Sequence, residues 1–145
     1  MSSLVAVSGL ILGKEMAVQT ISSTSSSILS RVKIISDNYE CETRDLFNRL
    51  DIKFKLDIIT KYIESIELSE HITNAPVNGC IEYIKDIMLT IEHEITTLEK
   101  DIDEYNKRWV GNISSLKFKS QFTNVESHVS ILEQRFNMLI KILKK

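Results

Sequence analysis

The sequence predicts an all-α protein, an elongated bundle of about four long helices that pair as coiled-coil-like antiparallel hairpins. Apolar residues recur at alternating steps of three and four along most of the chain, which is the spacing of the buried face of a packed helix. Only one proline and four glycines occur in 145 residues, and so few helix breakers favour long uninterrupted helices. The length suits one domain, residues 1–145.

The first helical hairpin is predicted over residues 4–68, and its first helix has a polar tract in the middle. Heptad positions from Leu4 to Ile35 are mostly apolar, but residues 22–27 are all Ser or Thr. These residues are mediocre helix formers because their hydroxyls compete for backbone hydrogen bonds. A flexible linker is the alternative, but the apolar repeat resumes at Ile28, so we expect one continuous helix.

The second helix is predicted over residues 39–68, after a break at residues 36–38 where Ser36 or Asp37 can cap it. Leu46 and Leu50 fall one step off the repeat that the later apolar residues keep. Such a register shift indicates a stutter or a kink in the helix. The residues that keep the repeat are Ile52, Leu56, Ile59, Ile63 and Ile66.

The second hairpin is predicted over about residues 80–144, and its pattern is clearest over 81–143. A connector at about 69–79 precedes it and ends in the helix-breaking residues 76–79. Two apolar seams, here meaning the heptad positions of each helix, step three and four without a miss around a short connection at 111–115. In an antiparallel pair, facing residue numbers have a constant sum, and eight apolar layers share the sum 227. The seams are Ile81, Ile84, Met88, Ile91, Ile95, Leu98, Ile102, Tyr105 and Trp109, and Phe118, Phe122, Val125, Val129, Leu132, Phe136, Leu139 and Leu143.

In that register the two edges of the second hairpin differ in charge. One edge brings Glu94 near Arg135 and Asp101 near His128, which are favourable pairs. We therefore expect this edge to be closed.

The other edge is acidic, because the same register brings Glu92 near Glu133 and Glu99 near Glu126. Like charges at flanking positions disfavour close contact. The edge is either solvated or meets a basic partner, in this chain or in another copy.

Two other features are candidate contact sites. Gly9 and Gly13 form a GxxxG motif that allows close helix packing within the bundle, or a contact with another subunit or a membrane through residues 4–13. That apolar run is far shorter than the ~20 residues that span a bilayer. In the second hairpin connection, Ile113 and Leu116 are apolar loop residues that could dock into a partner.

The same glycines do not make a nucleotide site. A phosphate-binding loop needs four residues between its glycines and a Ser or Thr after its lysine, whereas here three residues separate the glycines and Glu15 follows Lys14. A net charge of −2 provides no basic field for nucleic acid. We expect no nucleotide cofactor and no nucleic-acid partner.

Metal and nucleophile chemistry are not indicated either. The three histidines are scattered without a Glu-x-x-His pair, and the serines lie in no nucleophile elbow. Cys41 and Cys80 are isolated and are expected to be reduced, with a bridge between them as the alternative. The sequence predicts no catalytic residue, no metal site and no cofactor, and hence no enzyme.

The predicted function is therefore non-enzymatic: a structural or interaction protein that self-associates through its helices or joins a larger assembly. Two alternatives stay open, a membrane-associated protein that uses its apolar N-terminal helix and an intracellular adaptor or inhibitor that binds one protein. The N-terminus has no basic region of a secretory signal, so we expect an intracellular or virion location. The 21 isoleucines are typical of an AT-rich genome, such as that of a large DNA virus, a protist or a low-GC bacterium.

Overall fold

The structure is a computed structural model that describes residues 2–38, 41–66, 74–108 and 118–144, with backbone alone described for 2–15, 38, 41–44 and 46. These residues form five helices that pack on one another: α1 (Ser2–Asn38), α2 (Cys41–Leu50), α3 (Ile52–Ser65), α4 (Ala75–Arg108) and α5 (Lys119–Leu143). No strand occurs in the described ranges. The predicted all-α bundle is confirmed, with α2 and α3 together forming the second of four long helical segments.

Helix α1 runs without interruption through the Ser and Thr tract, as predicted. Thr24 and Ser25 are buried there, between the fully buried Ile21 and Ile28. Small side chains at these positions allow the neighbouring helix to approach closely. The linker alternative for residues 22–27 is wrong.

Helices α2 and α3 meet at Asp51, which has the left-handed backbone angles φ 51° and ψ 39°. Its N–H donates to the carbonyl of Asn48 at 3.0 Å, and its own carbonyl accepts from the N–H of Lys55 at 3.1 Å. The residue thus ends one helix and begins the next. The break lies where the apolar repeat shifts register, so the predicted kink is confirmed and the single helix 39–68 is divided.

Helix α4 begins earlier than predicted, because residues 76–79 belong to its first turns instead of breaking it. The side-chain oxygen of Asn74 accepts a hydrogen bond from the N–H of Val77 at 3.2 Å, which caps the helix. Pro76 is tolerated because first-turn N–H groups have no helical acceptor to lose. The gain is one more apolar turn, since Val77 is buried.

The four long segments surround one core, and the contacts define their directions. Contacts Phe47–Phe122, Lys55–Glu133 and Tyr62–Phe136 rise together in number, so the α2–α3 segment runs parallel to α5. Helix α4 packs most extensively against α1 and α5, whereas α2 and α3 contact α1 much more than they contact α5. The sides of the bundle are therefore α1–α4, α4–α5, α5–α3 and α3–α1, and the α5–α3 side is the loosest.

The predicted antiparallel hairpin of α4 and α5 is present, but its register is different. Glu94 contacts His128 instead of Arg135, and Asp101 contacts Gln121 instead of His128, so each partner lies seven residues earlier on α5. At the end of the hairpin, the ring of Tyr105 contacts Phe118, with centroids 5.8 Å apart, where Phe122 was expected. The partner on α5 is displaced by seven residues in the polar pairs and by four in the aromatic pair. Steps of three, four or seven residues lead from one apolar position of a seam to another, which is why the repeat alone did not exclude this register.

The core follows the predicted seams closely, and α4 contributes the longest continuous row of buried side chains. Burial of each large aliphatic side chain is worth roughly 1.5–3 kcal/mol before the entropy of ordering is subtracted. The buried residues of α4 are Val77, Ile81, Ile84, Ile87, Met88, Ile91, Ile95, Leu98 and Ile102.

The central row of α4 should dominate stability. Ile91 is fully buried, whereas Leu89 on the same helix is 39 % exposed. We expect Ile91→Ala to lower the free energy of unfolding by about 2–5 kcal/mol, because it leaves a cavity in the core. Leu89→Ala should change it by about 0.5 kcal/mol or less. Urea unfolding at equal protein concentration measures both, and equal losses would contradict the burial assigned to these residues.

The left-handed angles of Asp51 lead to a second prediction. Glycine adopts φ near 51° without strain, while a β-branched residue does so at high cost. Asp51→Gly should raise the free energy of unfolding by up to about 1 kcal/mol, and Asp51→Val should lower it by about 1–2 kcal/mol. Thermal and urea unfolding of the pair is the measurement. A valine variant as stable as the glycine variant would show that α2 and α3 are continuous in solution.

Candidate interaction site

The acidic edge of the α4–α5 hairpin lies against the first half of the chain, and two of its carboxylates meet cations there. Glu99 Oε2 lies 3.0 Å from Arg31 Nη1 of α1. Glu133 Oε1 lies 2.5 Å from Lys55 Nζ of α3. Both pairs are partly exposed, so each contributes modestly to stability, but together they join the two hairpins on opposite sides of the bundle.

The other two acids of that edge have different surroundings. Glu92 is half-buried on α4, and its backbone carbonyl accepts a hydrogen bond from the hydroxyl of Thr96 at 2.8 Å. Glu126 is exposed on α5 and lines a small groove with Arg49 and Phe122. The four acids therefore do not form one continuous surface.

The opposite edge of the hairpin is closed by polar contacts, although the pairs differ from those predicted. His128 Nδ1 lies 2.5 Å from Glu94 Oε1, and the Gln121 amide donates to Asp101 Oδ2 at 3.0 Å. Arg135 donates instead to the backbone carbonyl of Tyr83 and stacks over its ring, with the guanidinium carbon 5.6 Å from the ring centroid.

The remaining predicted contact residues have no described surroundings. Gly9 and Gly13 belong to α1, in the part of that helix for which the backbone alone is described. Ile113 and Leu116 lie outside the described residues. Their roles stay predictions.

A surface that the sequence reading did not single out lies along the loose α3–α5 side. We call it the α3 face: Phe54, which is 61 % exposed, Ile58, which is 45 % exposed, and the groove beside them. The groove has a volume of about 290 Å³, with Ile59 and Phe136 among its lining residues. Phe54 and Ile58 are large apolar residues spaced i, i+4 that lie off the heptad seam of α3, and that spacing was the signal available in the sequence.

A wider groove, about 750 Å³, separates α1 from α2 and α3 beside the break at Asp51. Its α1 wall carries several serines, and Leu29 and Val32 add apolar surface. Lys33 and Lys53 also line it. The groove therefore lies where α2 ends and α3 begins.

The described residues contain little that resembles a reactive centre. Burial raises the pKa of the Cys80 thiol, which keeps this free cysteine protonated near neutral pH. Within the described ranges, no three His, Cys, Asp or Glu side chains gather in a way that could hold a metal ion. Among the same residues, no helix combines the length and apolarity needed to cross a membrane.

Comparison with known proteins finds one viral relative. The chain is 24 % identical over 151 aligned positions to the uncharacterized protein L717 of Acanthamoeba polyphaga mimivirus, with 86 % of this chain and 73 % of the relative covered. No protein-family model matches the chain. No solved structure matches it either.

The contact between Glu99 and Arg31 leads to a prediction about how the hairpins are joined. Glu99→Lys and Arg31→Glu should each lower the free energy of unfolding, and the double variant should recover a coupling energy of about 0.5–1 kcal/mol. Glu104→Lys, an exposed change on the same helix, should shift stability by about 0.5 kcal/mol or less. If Glu99→Lys behaves like Glu104→Lys and no coupling is found, the edge is merely solvated.

Proposed function

We propose that this protein is a non-enzymatic structural or interaction protein that self-associates through its helices and contributes to a larger assembly. The observation that carries the proposal is exposed apolar surface that lies outside the buried core. The described seam residues of both hairpins lie mostly buried within the chain. Among the residues whose side chains are described, the large apolar ones that remain exposed are Met16, Ile34, Phe54, Ile58, Tyr83, Leu89 and Met138.

The arrangement of these residues supports assembly more than their number does. Single exposed apolar residues are normal on a protein surface. Phe54 and Ile58 differ because they lie on adjacent turns and border a groove, and clustered apolar surface of this kind marks contact sites. This surface has a groove and exposed apolar area that another helix can contact. The described residues beside it form no cluster suited to catalysis.

The similarity to a viral protein supports a proposal about where such an assembly forms. The relative is a mimivirus protein, and the high isoleucine content of this chain is typical of an AT-rich genome. We therefore propose that the chain is a viral protein that acts in the virion or in the infected cell. Neither location requires any catalytic activity of this bundle.

Light scattering coupled to size exclusion tests the proposal. We expect a mass in solution that is a multiple of the 16.6 kDa protomer and that rises with protein concentration over two orders of magnitude. The association should persist at high salt because burial of apolar area drives it, and salt screens charges but not hydrophobic contacts. A 16.6 kDa mass at every concentration would overturn self-association and direct the search to a different protein partner.

A further inference from the structure

We propose that the protein forms a two-fold symmetric dimer in which the α3 face packs against the α3 face of a second copy, with the two helices antiparallel. This inference rests on the proposed self-association and names the surface responsible for it. Three features of α3 carry it: the exposed apolar pair, the loose packing of the helix against α5, and the order of charges along its outer side.

The apolar pair lies on the outer side of α3. The buried side of the helix consists of Ile52, Leu56, Ile59 and Ile63. On a helix with 3.6 residues per turn, Phe54 and Ile58 lie more than a quarter-turn away from the centre of that side. They are 61 % and 45 % exposed, so the rest of the described chain covers each of them only in part.

The loose α3–α5 side gives a second helix room to approach. Helix α3 is held against α5 at two described points, the ion pair of Lys55 with Glu133 and the edge-on contact of Tyr62 with Phe136. Between them, the groove with Ile59 and Phe136 in its lining stays open to solvent beside Ile58. A bulky residue such as the partner's Phe54 can fill part of this space.

The charges identify the occupant as a second copy. In a two-fold symmetric contact, the same surface must complement itself. If Ile58 lies on the axis, facing pairs have the constant sum 116, so Phe54 faces Tyr62 of the partner subunit. The flanking pairs on the charged side then have the sum 118, which brings Asp57 beside Lys61 of the partner subunit, twice per dimer.

The geometry of the flank is consistent with this pairing. Asp57 and Lys61 lie on the same side of the Phe54–Ile58 row, towards α1, and antiparallel helices bring matching sides together. Asp57 is half-buried and Lys61 is exposed, so both are within reach of a neighbour along that edge. On the opposite flank, Lys55 is already engaged by Glu133, which leaves that flank neutral for the approach.

The size of the surface indicates a moderate affinity. One short helix and the groove beside it form a contact smaller than the interfaces of obligate dimers, which commonly bury more than 2,000 Å². We expect association in the micromolar range, concentration-dependent and rapidly reversible.

The apolar contact is tested with matched substitutions. Phe54→Glu with Ile58→Glu should raise the dimer dissociation constant at least about 100-fold while helicity and melting temperature change little. Tyr83→Glu with Leu89→Glu is the control, because these residues are similarly exposed, 61 % and 39 %, on α4 across the bundle. Sedimentation equilibrium measures all three proteins.

The register is tested by charge exchange between copies. Asp57→Lys alone and Lys61→Asp alone should each weaken the dimer about tenfold, because each places like charges together in both of the symmetric 57–61 pairs. An equimolar mixture of the two variants should form a heterodimer about as tight as the original, since both 57–61 pairs then join a lysine of one copy to an aspartate of the other. Restoration by mixing cannot arise from contacts within one helix.

Each outcome decides between the proposals. Loss of the dimer in the Phe54 and Ile58 variant, an unaffected control and restored association in the mixture support the α3 dimer. A dimer that survives these changes overturns the α3 face and leaves self-association through another surface. A protein that is monomeric throughout overturns both, and failure of the mixture to associate overturns the stated register.

Discussion

The apolar seam of α4 is the interaction on which the rest of this structure depends. It runs from Val77 to Ile102 and is buried against two neighbours at once, α1 on one side and α5 on the other. A helix that is buried on two sides fixes the position of both neighbours. The α2–α3 segment has no comparable place on α4, so it closes the bundle from the far side with fewer contacts.

This asymmetry explains where the surface features occur. The loosely held segment is also the one divided at Asp51, and grooves border its helices on the α1 side and on the α5 side. The ion pairs Arg31–Glu99 and Lys55–Glu133 hold the hairpins together around this weaker region. Partly exposed pairs of this kind give orientation more than stability.

The sequence predicts the helices well because helix formation and burial leave a local pattern. The heptad repeat identified the buried side chains of α3, α4 and α5, and it detected the break near Asp51 as a shift of register. The prediction failed at Pro76, which was read as a helix breaker. The helix begins before Pro76 because Asn74 caps it. Relations between helices are harder to infer, because the apolar positions of two seams still match after one helix slides by one or two steps along the other. More than one register of α4 on α5 therefore places apolar residues opposite each other.

The predicted and observed registers differ in their polar side-chain contacts. In the predicted register Glu94 would meet Arg135. In the structure Glu94 contacts His128, and Asp101 accepts a hydrogen bond from Gln121. Arg135 instead donates to the backbone carbonyl of Tyr83 and stacks over its ring. The extra turn gained at Val77 also lengthens α4 at the end where α5 finishes. A repetitive apolar core therefore supplies the stability of this bundle, while a few polar contacts and helix ends select one arrangement. Residues that belong to neither role, such as Phe54 and Ile58, are the exposed apolar residues on which the proposed contact with a second copy rests.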